Sequence, residues 1–180
     1  YGDHRVLHSF PTRRSSDLAL QRQRYLLVVV TNQAGLARGL ITPAELELLR
    51  RRLVQQLEHE GICLDGFYAC PHHPEGTVES YRLNCKCRKP QPGLLLRASR
   101  DLGIDLSASW MIGDILDDVE AGNRAGCRSI LLRNGNEAEW EITPMRTPRY
   151  IVDNLSTVRR IILHSQTTPE SRQSDLRTGL

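Results

Sequence analysis

Four potential metal ligands place the tightest constraint on what this chain can fold into. Cys70 is followed by two histidines at 72 and 73, and twelve residues separate His72 from Cys85-x-Cys87. Zinc prefers four thiolate and imidazole ligands in a tetrahedron, so the two segments are expected to meet around one ion. Because protein ligands would fill all four positions, the sequence predicts a structural zinc that pins the intervening loop. Such a site can contribute on the order of 10 kcal/mol to folding.

The alternative is that these residues are unrelated to one another. Isolated cysteines usually lie in apolar surroundings, as Cys63 and Cys127 do in this sequence, and we expect those two in the core. The clustered cysteines lie instead among Pro, His, Asn, Lys and Arg. A cluster that contains histidine favours a metal in a reducing compartment over a disulfide framework. We therefore expect a cytoplasmic protein with bound Zn²⁺.

Charge and hydropathy exclude some classes of partner. The net charge of the 180 residues is +3, which is too small to indicate binding to nucleic acid or to an anionic membrane. The longest plain apolar run, residues 26–30, is too short to span a bilayer, and the N-terminus has no apolar stretch of signal-peptide length. We expect no nucleic-acid partner, no membrane partner and a monomeric protein.

The chain divides into a central domain and two terminal segments. Residues 1–18 show neither helical nor strand periodicity, and residues 8–18 resemble the in-frame translation of a common short-read sequencing adapter. Our hypothesis is that this adapter-like segment is non-native and has replaced native sequence, so residues 1–18 are left out of fold prediction. The domain is expected to cover residues 19–165. Residues 166–180 are polar and predict a disordered tail.

Strands and helices alternate along the domain. Residues 25–30 form a continuous β-branched and aliphatic run, which predicts a strand buried on both faces. Further strands are predicted at 64–69, 109–113, 127–132 and 150–152. Helices are predicted from Thr42 to Gly61, from 92 to 103, after Asp114 and over 155–163. This alternation indicates an α/β fold, a three-layer Rossmann-like parallel sheet covered on both sides.

Polar residues follow several of these strands, where ligands bind in parallel sheets. Thr31 follows the first strand and offers a hydroxyl to a phosphoryl oxygen. Arg88-Lys89 directly follows the metal-pinned loop, and together these cations suit a phosphate group, although such pairs are often simply solvated. Asp114 ends a strand where a helix begins. It suits Mg²⁺, or it caps the helix.

Together these residues resemble the haloacid dehalogenase-like phosphohydrolases. Thr31 after an apolar strand, Lys89 before a proline and Gly113-Asp114 with Asp118 match the second, third and fourth motifs of that superfamily. The runs at 28–39, 70–74 and 85–90 resemble more closely its zinc-loop subgroup of heptose bisphosphate phosphatases and their histidinol phosphatase relatives. The resemblance covers roughly residues 22–160.

The resemblance implies a role for each matching residue. Thr31 and Lys89 would stabilise the transferring phosphoryl group, Asp114 would bind the catalytic Mg²⁺, and His72 rather than His73 would complete the zinc site. An aspartyl-phosphate intermediate is implied, and so is a small phosphorylated sugar as substrate. The implied substrate contacts are Thr31, Asn32, Gln33, Ala34, Arg88 and Lys89. The implied zinc ligands are Cys70, His72, Cys85 and Cys87.

Two features depart from the family pattern. The family's first motif is an apolar strand that ends in Asp-x-Asp and supplies the nucleophile, and Asp-x-Asp occurs nowhere in the 180 residues. The chain as written is therefore predicted to lack its first, central strand, to fold poorly and to have little or no phosphatase activity. Ile115 stands where the heptose phosphatases carry a basic residue after the fourth-motif aspartate. This exchange weakens the assignment of substrate.

Three functions remain open from the sequence. The first is removal of the C7 phosphate from D,D-heptose 1,7-bisphosphate, on the path to lipopolysaccharide core or S-layer glycans. The second is the same chemistry on histidinol phosphate. The third is of a different class, a non-catalytic module that is stabilised by zinc and binds a phosphorylated ligand.

Overall fold

The computed structural model describes residues 11–133 and 141–165, with side chains from residue 17 onward. Helices and strands alternate through this part of the chain, as the sequence predicts. The helices are α1 (Pro11–Arg22), α2 (Ala34–Ala37), α3 (Pro43–His59), α4 (Gly93–Leu102), α5 (Leu116–Arg124) and α6 (Leu155–His164). The strands are β1 (Val28–Asn32), β2 (Gly66–Cys70), β3 (Trp110–Gly113), β4 (Arg128–Leu132) and β5 (Tyr150–Val152). Short 3₁₀ turns cover Glu79–Tyr81 and Pro144–Arg146.

All strand pairs in the described residues are parallel. β1 pairs with β2, and β3, β4 and β5 form a second sheet in that order. The predicted α/β fold with a parallel sheet is therefore confirmed. The register places Thr31 opposite Ala69 and Asn32 opposite Cys70, so the ends of β1 and β2 lie side by side. This register places the segment that carries the cysteine and histidine cluster, residues 70–87 (the zinc loop), beside the polar residues at the end of β1.

The sheet consists of two separate pieces. In the part of the chain that the structure describes, β1 pairs only with β2, and β3 pairs on one side only, with β4. All five residues of β1 are half-buried, so the prediction of a strand buried on both faces is wrong. A strand reaches full burial only when neighbours flank and cover it. Among the described residues, β1 and β3 therefore each have one edge without a paired strand.

Helix α1 includes residues that lie before residue 19, the predicted start of the domain. It begins at Pro11 and therefore runs through most of the adapter-like segment, which the sequence analysis left out of the fold. Leu20 at its C-terminal end is buried, and it packs with Ile130, Val152 and Ile162 in the main hydrophobic cluster. Tertiary packing against α6 explains a helix that has no clear periodicity of its own. The predicted disordered tail at 166–180 lies outside the described residues.

Helix α3 begins with the predicted capping box. The Thr42 hydroxyl accepts a hydrogen bond from the backbone N–H of Glu45, and the Glu45 carboxylate accepts one from the Thr42 backbone N–H. These two bonds satisfy donors that a helix N-terminus otherwise leaves unpaired. None of the residues of α3 is fully buried, and Leu49 is 40% exposed. The helix therefore combines a capped N-terminus with a face that is only partly buried.

No helix in the described ranges combines the length and the apolar composition that a membrane crossing requires.

Removing the capping hydroxyl is expected to destabilise the domain. Thr42→Ala leaves the Glu45 N–H without its partner and should lower the free energy of unfolding by about 1 kcal/mol. Urea denaturation followed by circular dichroism measures this change. Thr77→Ala, at an exposed position outside regular structure, is the matched control and should change stability by less than about 0.5 kcal/mol. Equal effects of both substitutions would contradict the capping role.

Candidate zinc and phosphate site

The four predicted zinc ligands converge in the structure. The ligand atoms of Cys70, His72, Cys85 and Cys87 all lie within 4.8 Å of one another. The three sulfur–sulfur distances are 3.1, 3.2 and 3.5 Å, and His72 Nδ1 lies 3.3 Å from Cys87 Sγ and 3.7 Å from Cys70 Sγ. A tetrahedron with zinc–sulfur bonds of 2.3 Å has edges of about 3.8 Å. The donor set and its compactness therefore fit a single Zn²⁺, and His72 rather than His73 faces the group.

The thiols of Cys70, Cys85 and Cys87 differ in the direction in which their pKa is shifted. Burial raises the pKa of Cys70 and of Cys87. Burial also acts on Cys85, but hydrogen bonds from the Cys87 thiol and from the backbone N–H of Arg88 outweigh it and lower the pKa of Cys85. A cysteine binds a metal as the thiolate, so its thiol must first lose a proton. For Cys70 and Cys87, the free energy of metal binding would have to exceed the cost of forming a thiolate in a buried place. Cys85 is the ligand best prepared to bind as a thiolate.

The end of β2 and the start of α4 hold the cysteine and histidine cluster in place. Cys70 ends β2 and is fully buried, and its neighbour across the ladder is Asn32. The loop closes over the start of α4, where the backbone N–H of Gly93 donates to the Lys86 carbonyl at 3.0 Å. A Cβ at position 93 would overlap that same carbonyl. A glycine is therefore required where the loop returns over the helix.

Lys89 lies at the junction of the two pieces of the sheet. Its Nζ is 2.6 Å from Oδ1 of Asp118 on α5 and donates at 3.0 Å to the Val30 carbonyl on β1. The side chains of Lys89 and Asp118 are 11% and 7% exposed, so the pair is largely removed from water. The backbone of Lys89 is also fixed, since its N–H donates to Asn32 Oδ1 at 3.0 Å and its carbonyl accepts from Asn32 Nδ2 at 3.1 Å.

The residues at the C-terminal end of β1 and directly after it have two different roles. The Asn32 amide is engaged at both ends by the backbone of Lys89, so it positions the lysine rather than facing open solvent. Gln33 donates from Nε2 to Thr31 Oγ1 at 3.1 Å and from its backbone to the Cys70 carbonyl at 2.7 Å. Ala34 is buried at the start of α2. Thr31 is thus held next to the end of β2 and to the zinc loop.

Asp114 lies directly after β3, as predicted. It is half-buried and precedes the extended residue Ile115, which is 37% exposed. A Cβ on Gly113 would overlap the side chain of Asp118, so glycine at the end of β3 lets Asp118 reach Lys89. Mg²⁺ commonly takes only one or two carboxylates and completes its shell with phosphate oxygens and water. Asp114 fits as one such ligand.

Sequence reasoning missed one group beside the zinc loop. Arg38 at the end of α2 approaches His73, with 3.4 Å between Nη2 and Nε2. The side chain of Arg88 is close to the same segment and contacts the His72 carbonyl at 3.4 Å. Burial together with the charges of Arg88 and Arg38 lowers the pKa of His73, and Glu75 opposes the shift. No local spacing connects Arg38 to the loop, so only the fold reveals this group.

A parallel α/β sheet with these residues at its carboxyl edge defines the chain as a hydrolase of the haloacid dehalogenase-like class. A family model described as HAD-hydrolase-like matches residues 86–158. The chain belongs to the D-glycero-β-D-manno-heptose-1,7-bisphosphate 7-phosphatase family. The relative from Photorhabdus laumondii is 40% identical over 146 residues, which are 81% of this chain and 77% of the relative. The relative from Escherichia coli K12 is 43% identical over 135 residues, which are 70% and 71% of the two chains.

Solved structures give the same result for the fold. The D,D-heptose 1,7-bisphosphate phosphatase from B. bronchiseptica, complexed with magnesium and phosphate, superimposes with a TM-score of 0.72 at 29% identity. The alignment covers 87% of this chain and 84% of that one. The predicted resemblance to zinc-loop phosphatases is therefore confirmed at the level of the family.

Removing one ligand of the cluster tests the zinc prediction. Cys85→Ala is expected to abolish zinc binding and to destabilise the domain, because the predicted metal cross-link of the loop loses one of its four ligands. Elemental analysis should give about one zinc per wild-type chain and none for the variant. Cys63 is exposed, so its predicted place in the core is wrong, whereas Cys127 is buried as predicted. Cys63→Ala, outside the cluster, should keep the metal. A Cys85→Ala protein that retains both zinc and stability would refute the site.

The buried pair of Lys89 and Asp118 gives a second test. Lys89→Met leaves the carboxylate buried without its cation and should lower the free energy of unfolding by about 3–5 kcal/mol. The double variant Lys89→Met with Asp118→Leu should recover most of that loss, because it removes both charges. Chemical denaturation of the three proteins measures both effects.

The control for this experiment is the exposed pair of Arg51 and Glu47 on α3. Arg51→Met should cost less than about 1 kcal/mol, as is usual for pairs in water. If Lys89→Met cost no more than Arg51→Met, the buried pair would not join the two sheet pieces as we describe.

Proposed function

We propose that this chain is the main part of a phosphatase that removes the C7 phosphate from D,D-heptose 1,7-bisphosphate, on the path to lipopolysaccharide core. The observation that carries the proposal is the fixed position of Lys89 between β1, Asp118 and the zinc loop. A lysine ammonium has three donors. Val30 and Asp118 use two of them, which leaves a third for a phosphoryl oxygen. The family relationship supports the same substrate class.

Each residue of the site has a defined task in this proposal. Lys89 and the Thr31 hydroxyl would hold the charge that develops on the transferring phosphoryl group. Arg88 and the segment Asn32–Ala34 would orient the substrate, with Asn32 acting through the backbone of Lys89. Asp114 would hold Mg²⁺, which when bound neutralises phosphate charge. Zn²⁺ in the Cys–His group would keep Arg88 and Lys89 in place.

The nucleophile is the missing part. The family mechanism needs a carboxylate that attacks the phosphoryl group, and Asp-x-Asp is absent from the 180 residues. The unpaired inner edges of β1 and β3 support the idea that a strand carrying this motif belongs between them. We therefore propose that the chain as given has little phosphatase activity. We also propose a monomer in a reducing, cytoplasmic compartment, because the five cysteines are unpaired.

Restoring the strand tests the function. The chain as given should release almost no phosphate from heptose 1,7-bisphosphate in the presence of Mg²⁺. An N-terminal extension with an apolar strand that ends in Asp-x-Asp should raise the rate by at least about 10³-fold, the scale set by loss of a catalytic nucleophile. The matched control carries Asn-x-Asn in the same strand and should stay inactive. Release of inorganic phosphate is the measurement.

The same assay decides between the candidate substrates. Faster turnover of histidinol phosphate than of heptose bisphosphate by the restored protein would assign the chain to histidinol phosphate. No turnover of either compound by a folded, zinc-loaded protein with the Asp-x-Asp strand would favour a non-catalytic binding module. Efficient turnover by the unextended chain would refute the proposed loss of activity.

A further inference from the structure

The first turn of α5 carries two adjacent carboxylates that have different partners. Asp118 is buried and contacts Lys89, whereas Asp117 contacts Arg146 in the second 3₁₀ turn. Nη2 of Arg146 lies 2.7 Å from Oδ1 of Asp117, and Nε of the same guanidinium lies 2.9 Å from Oε2 of Glu120. Arg146 thus bridges two residues that are three positions apart on α5.

The bridge is largely shielded from water. The side chains of Arg146 and Glu120 are 15% and 11% exposed, and that of Asp117 is 33% exposed. Burial acts to raise the pKa of Glu120, but hydrogen bonds from Arg146 and Arg124 outweigh it and lower that pKa. A guanidinium presents its donors in a fixed planar fork, so it can hold two carboxylates in one geometry. Arg146 can therefore fix the orientation of the helix that it contacts.

Asn123 holds the backbone on both sides of Arg146. Its Nδ2 donates to the carbonyl of Met145 at 2.9 Å and to that of Thr147 at 3.0 Å. Its Oδ1 accepts from the hydroxyl of Ser129, a buried residue of β4, at 2.7 Å. These bonds fasten the 3₁₀ turn to α5 and β4 without the arginine side chain. Replacing that side chain should therefore leave the turn in place.

The start of α5 has no side-chain cap. The N-cap residue Ile115 is extended, and its side chain makes no capping hydrogen bond. A helix N-terminus leaves backbone N–H groups unpaired, so its first turn depends on other contacts. The apolar side of this turn packs into a small hydrophobic cluster. On its polar side, Arg146 holds Asp117 and Lys89 holds Asp118, so two cations restrain the turn.

We propose that Arg146 is a positioning residue. By holding Asp117, it sets the orientation of the first turn of α5, and so it keeps Asp118 on Lys89 and Asp114 at the carboxyl edge of the sheet. Arg146 acts through Asp117 and needs no contact of its own with a phosphoryl group or with Mg²⁺. The consequence for catalysis rests on the proposed function.

The lysines of the chain provide a direct readout. Lys86 and Lys89 are the only lysines in the 180 residues, and Lys86 is exposed. In the full chain supplied with Zn²⁺ and labelled with the heavy isotope of nitrogen, NMR measures the exchange of the Nζ hydrogens with water. The Lys89 ammonium is hydrogen-bonded in a buried place, so it should exchange at least about tenfold more slowly than that of Lys86.

Loss of the bridge should release Lys89. Arg146→Met should raise the exchange rate of the Lys89 ammonium at least about threefold and leave Lys86 unchanged. Asp117→Asn should have the same effect, and the double variant should have no larger effect than either substitution alone. If Arg146→Met does not fold, Asp117→Asn carries the test. The matched control is Arg124→Met, which removes a cation from the same network, leaves the Asp117 contact intact and should change neither lysine.

A general loss of stability would give a different pattern. Thr42→Ala weakens the cap of α3 and should leave the exchange rate of Lys89 within about twofold of the wild-type value. The proposal would be overturned by an unchanged Lys89 in Arg146→Met, by additive effects of Arg146→Met and Asp117→Asn, or by equal acceleration in either control.

The consequence for catalysis has its own measurement. In the protein with the restored Asp-x-Asp strand, Arg146→Met should lower kcat roughly 10- to 100-fold, the scale of a small misplacement of catalytic groups. KM should stay within about twofold, and Arg124→Met should change neither constant. An unchanged kcat in Arg146→Met would refute the link to catalysis. If Lys89 responds as expected but the restored protein turns over neither heptose bisphosphate nor histidinol phosphate, the proposed function fails while the positioning role stands.

Discussion

The ion pair between Lys89 and Asp118 links two pieces of sheet between which residues 11–133 and 141–165 form no hydrogen-bond ladder. β1 with β2 and β3 with β4 and β5 are each internally paired, but the described residues contain no ladder between them. Lys89 reaches the carbonyl of Val30 on one side and Asp118 on the other. A buried charge pair is a specific link because either partner alone is strongly disfavoured. Lys89 therefore helps to fix the relative position of the two pieces, together with Gln21 of α1, whose side chain makes two hydrogen bonds to the backbone of Cys63 before β2.

The zinc loop makes that lysine rigid. Between β2 and α4 the chain has little regular structure beyond one 3₁₀ turn, and ordering such a segment costs conformational entropy. Four ligands on one ion would offset that cost and fix Cys87, from which Arg88 and Lys89 follow directly. The Asn32 amide then holds the backbone of Lys89 from the β1 side. A metal in the Cys–His group and the end of β1 would thus constrain the same residue from two sides.

The sequence predicted those parts of the site that depend on local spacing. Ligand spacing was enough to find the Cys–His group, and the rule that polar groups follow parallel strands predicted that Thr31, the Cys–His group and Asp114 lie at one edge of the sheet. Features that depend on tertiary contacts could not be predicted from the sequence. The C-terminal part of α1 packs through Leu20 against α6, and the half-burial of β1 goes with its unpaired edge among the described residues. The contact between Arg38 and His73 joins residues 35 positions apart.

The geometry of the open edges also restricts what can fill them. β1 and β3 both end near Lys89, one at the Val30 carbonyl and the other beside Gly113 and Asp118. A strand inserted between them in parallel would end at the same place, so acidic side chains at its end would face the lysine. Lys89 would then sit among Asp118, the incoming carboxylate and the phosphoryl group. Those three partners carry more negative charge than one lysine can balance. A divalent cation held by Asp114 would supply the remaining positive charge.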